Sequence, residues 1–139
     1  MKSKSPELAR FAFVSYQFTE AKLSFIIDKK HELAIEIEPQ GRYNPNDGEF
    51  DVFVQTTIIN NGKRVIEVTC VAKYKFERAI KSEEIPNYFY ANSIAIIFPY
   101  IRAFISTLSV QANIPVVVIP TINLTSLGPI LKQRTNICP

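Results

Sequence analysis

Residues 97–105 read IFPYIRAFI, nine residues with seven apolar side chains, one arginine and one proline. Around them Ile94, Phe98, Ile101, Ile105 and Leu108 recur at spacings of three and four, the period of one helix face. Ile97 and Phe104 widen that face, while Arg102, Ser106 and Ser109 fall off it. Asn92 or Ser93 can cap the start, which puts Pro99 in the second turn, where it bends the helix or limits regular hydrogen bonding. The helix is expected to end near Asn113, ahead of Pro115 and the apolar link IPVVVIP at 114–120. A last short helix starts at Thr125 or Ser126, with Gly128-Pro129 breaking into it.

Upstream the period changes to two. In ELAIEIE (32–38) Leu33, Ile35 and Ile37 point one way and Glu32, Glu36 and Glu38 the other, a half-buried strand that Pro39 ends. PQGRYNPNDG (39–48) reads as a loop of turn residues. EFDVFVQTTII (49–59) is a strand apolar on both faces, and Asn61-Gly62 supplies the positive φ angles of a tight hairpin. On the return strand Ile66, Val68, Cys70, Ala72, Tyr74 and Phe76 make one apolar face, opposite the mixed set Val65, Glu67, Thr69, Val71, Lys73 and Lys75. RFAFVSYQF (10–18) and KLSFII (22–27) complete the β content as a first strand bent around residues 19–22. The class is α+β: a four-stranded antiparallel sheet, one long helix and a short C-terminal helix, in a single domain spanning residues 1–139.

A chain of 139 residues buries about two-thirds of its unfolded surface, and 47% apolar residues is a globular composition. The net charge of +3 comes from scattered lysines and arginines with no basic run, which argues against nucleic acid. Two cysteines, Cys70 and Cys138, and one histidine, His31, give no zinc-ligand spacing, so no metal is expected, and two reduced thiols suit the cytosol. MKSKSPELARFAF lacks the apolar core of a secretory signal. The unbroken apolar run before Arg102 is too short to span a bilayer. The expected location is cytoplasmic, with no membrane insertion.

Catalytic patterns are absent. The four glycines, at 41, 48, 62 and 128, form no phosphate loop, and no nucleophile elbow occurs. His31 sits in the polar stretch DKKHE, and Glu83-Glu84 in a polar connector. The reading is a non-enzyme without cofactors. Ten phenylalanines and six tyrosines, by contrast, exceed what one sheet and one helix can bury. Some should line a groove or a contact between copies, as large apolar patches do.

Phe98-Pro99-Tyr100, Arg102, Pro115, Pro120 and Asn123 occur in the order and approximate spacing of the SecB export-chaperone family, which this chain resembles. FTEAKLSF (18–25) and VIEV (65–68) are similar to that family's first strand and its strand after the hairpin. The resemblance implies an ATP-independent holdase for unfolded or pre-export polypeptides. It also implies a homotetramer built as a dimer of dimers through the long helix, with the final short helix as a lid over the client groove. The implied client-binding residues are Phe50, Phe53, Ile66, Val68, Cys70 and Tyr74. The oligomer interface would use Phe98, Tyr100, Ile101, Phe104, Ile105 and Leu108. The family docks the translocase ATPase SecA on an acidic sheet surface. Here Lys22 and Ile26 stand at the matching positions, with Glu67 left on the following strand, so SecA contact is not expected to carry over. Solitary members that guard the antitoxin of a toxin–antitoxin pair offer the alternative role of an adaptor dedicated to one partner.

Overall fold

The computed structural model of the chain describes residues 9–24 and 27–139. Four strands, β1 (Phe11–Leu23), β2 (Leu33–Asn44), β3 (Glu49–Asn60) and β4 (Lys63–Phe76), are antiparallel. Helix α1 (Asn87–Gln111), helix α2 (Leu127–Gln133) and a three-residue strand β5 (Thr135–Ile137) follow. The sheet order is β1-β4-β3-β2-β5, with β5 parallel to β2. The antiparallel sheet, the long helix and the short one are those that the sequence periods predict. β5 is an addition, too short to leave a period. The expected end of the KLSFII strand falls on Phe25 and Ile26, outside the described residues.

Alternation sets which face is sealed. The register aligns Phe50 with Tyr74, Val52 with Ala72, Val54 with Cys70, Thr56 with Val68 and Ile58 with Ile66, all buried on the face that α1 covers. Asn61 (φ 53°) and Gly62 (φ 72°) form the predicted turn between β3 and β4, where an asparagine tolerates and a glycine freely adopts positive φ. Pro39, expected to end β2, does not. The strand runs on to Asn44, because Pro39 lies on the outermost antiparallel strand beside β3, where no neighbour requires its missing N–H. Only residues 45–48 remain as the turn, closed by Gly48 N–H to Asn44 O at 2.9 Å and by Glu49 N–H to Asp47 Oδ1 at 2.9 Å. β1 bends through two bulges, at Val14 and Thr19, the second at the predicted position.

Because β1 and β2 are separated in the sheet by β4 and β3, the chain between them crosses one end of the sheet. Asn60, buried at the end of β3, holds that crossover. Its side-chain amide donates to Asp28 O at 3.1 Å and His31 O at 3.2 Å, and its Oδ1 accepts from Asp28 N–H at 2.7 Å.

α1 begins at Asn87, directly after Pro86, earlier than a cap at Asn92 or Ser93 would allow. Pro99 therefore falls in mid-helix. It is exposed, as is Ala95, whose carbonyl loses its helical donor there, so water can reach that carbonyl. The predicted C-terminus is close: Asn113 adopts φ 58° just beyond the last turn. By length and composition α1 could cross a membrane, unlike the shorter run considered in the sequence. In the fold its face of Phe89, Ile94, Ile97, Phe98, Ile101 and Ile105 is buried. α2 forms despite Gly128-Pro129, since Pro129 lies in the first turn, where no helical N–H is needed. Gly128 lets it approach α1 closely: a Cβ there would stand 3.1 Å from the Ala91 Cβ.

Candidate polypeptide-binding surface

One end of the covered face is aromatic and sealed. Phe89 of α1 sits among Phe50, Phe11 and Phe76 at ring-centroid distances of 4.8, 4.9 and 4.9 Å. The Tyr43 hydroxyl donates to Ile80 O at 2.6 Å, and the Tyr74 hydroxyl to Ser93 O at 2.5 Å. Burial pushes both phenols above the ordinary range and lifts the Cys70 thiol to about 11. These groups are inert packing.

Five of the implied client residues belong to the covered face of the sheet. Phe50, Ile66, Val68, Cys70 and Tyr74 are buried within the subunit and, as it stands, offer no surface to a client. The even face of β4 is the face that α1 covers, and a regular apolar alternation is strongest where packing is tightest. Phe53 is half-buried on the opposite face, beside Val71.

The other end is aliphatic and open at its margins. Across it run two rows, Leu23–Ile66–Ile58–Ile35 and Ala21–Val68–Thr56–Ile37. Their central members are buried, but Leu23 is 40% exposed, Ile35 and Ile37 are half-buried, and Leu33, at the start of β2, is 41% exposed. The link after α1 exposes further aliphatic side chains. Val117 and Ile119 are buried, whereas Val116 and Val118 are 55% and 73% exposed. This extended link is tied to the helix by two side chains in place of a strand. Val117 N–H donates to Ser109 Oγ at 3.0 Å, and Ser106 Oγ donates to Val117 O at 2.7 Å. Both serines, read as lying off the buried face, are therefore structural. The alternation of ELAIEIE marked the β2 side of this surface, whereas the site assignment went to the even face of β4 with Phe50 and Phe53.

The outer side of α1 is a second exposed surface. Tyr88, Asn92, Ala95, Ile96, Pro99, Ala103, Thr107 and Val110 follow one face, all uncharged and only partly or not buried. Of the implied interface, Tyr100 is exposed and packs on Tyr16 with centroids 4.5 Å apart. Phe104 stacks on Phe18 at 4.0 Å, and Leu108 is half-buried. Phe98, Ile101 and Ile105 are buried within the subunit, because the strongest three-and-four spacing marks the side facing the sheet. Arg102 is half-buried at the rim, 3.4 Å from Thr121 Oγ1.

On the uncovered face of the sheet, Lys22 lies opposite Glu67 and Glu36 opposite Thr57. Glu20 and Glu38 occupy the next row, so this end carries more carboxylates than Glu67 alone. Ile26 lies outside the described residues. Among the described residues no three potential metal ligands cluster.

No family model matches the chain. The fold is SecB-like: the chain superposes on the Mycobacterium tuberculosis SecB-like chaperone Rv1957, solved with a ChAD peptide from the HigA1 antitoxin. The TM-score is 0.64 at 18% identity, covering 81% of this chain and 91% of that one. In sequence it is 33% identical over 109 residues to the uncharacterized protein MJ0357 of Methanocaldococcus jannaschii, 72% of this chain and 68% of that protein. The chain belongs to the family of that archaeal protein.

Proposed function

We propose that this protein is an ATP-independent cytoplasmic chaperone that binds extended, non-native polypeptide and carries out no catalysis. The observation that carries the reading is the aliphatic margin. Leu33, Ile35 and Ile37 leave apolar surface uncovered beside the β2 edge, and Val116 and Val118 are exposed on the link after α1. Covering it removes apolar area from water at about 25 cal/mol per Å², and an unpaired edge accepts a backbone whatever its side chains. Neither term selects a sequence, which suits varied unfolded clients. A second reading, an adaptor for one partner, is favoured by the antitoxin peptide held by the Mycobacterium tuberculosis chaperone of like fold.

In this reading copies assemble through the uncharged outer face of α1, and β1, the other edge of the sheet, offers a second surface for pairing. A dimer of dimers follows when each copy uses both. Export and SecA docking stay outside the proposal, since Lys22 interrupts the carboxylates of the uncovered sheet face.

The test adds purified protein, without nucleotide, to a reduced client that aggregates. Light scattering should fall at near-equimolar protein, and native mass spectrometry should show a dimer or tetramer. No suppression with several clients would overturn the general chaperone in favour of the single-partner adaptor. A strict monomer at micromolar concentration would overturn the assembly.

A further inference from the structure

The outer edge of β2 is divided between a long unpaired stretch and a short one that the chain itself occupies. β5 covers Gly41 to Tyr43, pairing Thr135, Asn136 and Ile137 with Gly41, Arg42 and Tyr43. The bonds at its two ends are Gly41 N–H to Arg134 O at 3.2 Å and Cys138 N–H to Tyr43 O at 2.8 Å. Because strand groups alternate sides, the outward-facing backbone of β2 is that of the odd residues 33, 35, 37, 39, 41 and 43. Pro39 lacks a donor there but keeps its carbonyl. Among the described residues, no strand pairs with Leu33 to Gln40 on that side.

The hold of β5 on this edge is slight. It is three residues long and parallel, the weaker geometry per residue. Asn136 and Ile137 are exposed, and the Thr135 hydroxyl bonds back to Leu131 O at 2.6 Å, not to the sheet. The preceding helix is firmly seated, with Leu131 buried and Gly128 against Ala91. The anchor is therefore fixed and the strand beyond it is light.

We propose that the β2 edge is one continuous polypeptide-binding edge, and that residues 135–138 are a resident strand which an extended client displaces as it pairs along β2. The seated β5 is itself the evidence that this edge takes an extended chain. The proposal rests on the chaperone reading and adds a competitor built into the fold. An unoccupied protein keeps one end of its edge covered, which limits edge-to-edge association between copies. A client that pairs first along Leu33 to Ile37 gains the Gly41 to Tyr43 stretch only by releasing β5.

The probe is a fluorescein-labelled nonapeptide of alternating valine and threonine with terminal lysines. In the full chain, Asn136→Pro with Cys138→Pro removes the two β5 donors aimed at β2 and should tighten peptide binding about tenfold, the effect of a few released backbone bonds. Hydrogen exchange of the unaltered protein gives a readout free of any folding defect. Saturating peptide should speed exchange at Asn136 and Cys138 and slow it at Ile35 and Ile37. Equal affinity of the two proteins, or bound peptide with Asn136 and Cys138 unchanged, overturns the resident strand. Peptide that binds neither protein while aggregation is still suppressed overturns the edge proposal alone. Loss of both activities overturns the chaperone reading with it.

Discussion

The two ends of the covered sheet face are built from the same alternation and behave in opposite ways. At one end Tyr43, Phe50, Tyr74, Phe76 and Phe89 interlock and every phenol finds a carbonyl or lies sealed. At the other, the central strands supply buried Ile58, Ile66 and Val68, but the edge strands leave Leu23 and Leu33 in water. Large rings from one helical turn span the width of the sheet. Aliphatic side chains do not, so closure there depends on an extended link held by two serine hydroxyls. Stability belongs to the first end, and the binding proposed above belongs to the second.

The contrast breaks if the aromatic end is dispensable. Phe89→Ala should cost about 3–5 kcal/mol, since it removes the ring that five aromatic neighbours enclose; the denaturant midpoint checks it. A smaller effect comes from pH. Well below pH 9 the Cys70 thiol is protonated in both states. Its pKa is raised by burial from 9.0 to about 11, so between those values the unfolded chain ionises and the folded one does not. Stability should fall over that interval, more gently in Cys70→Ala, as read from denaturant midpoints at each pH. The smallest stability effect belongs to the open end. Leu33→Ser, at an exposed position, should move stability by less than about 0.5 kcal/mol yet weaken client binding about fivefold. A variant that lost stability and kept binding would reverse the assignment of the two ends.

Much of this was legible in the residues. The hairpin at Asn61-Gly62, the even face of β4 and the spacing from Ile94 to Leu108 each follow from a local rule, and the fold keeps them all. What misled was reading rank as role. The most regular apolar residues, Ile66, Val68, Cys70, Phe98 and Ile105, are regular because packing demands it, so they became core instead of surface. Pro39 misled for a different reason: a proline ends a strand only where a neighbour needs its N–H, and sequence alone does not say which strand lies outermost. β5 had no signal, because three residues carry no period.

The hold of Asn60 on the crossover bears on the order in which the chain folds. β2, β3 and β4 are joined by short turns and can zip locally, at little loop-closure cost. β1 must pair Phe11 with Phe76 across most of the sheet's sequence, and its crossover docks on an asparagine that is fixed only once β3 exists. The strand that comes first in the sheet's sequence order is thus the last to be placed. Until β4 leaves the ribosome, Phe11, Phe13, Tyr16 and Phe18 are an aromatic strand in search of a partner. A protein proposed to shelter unfolded chains begins its own life as one.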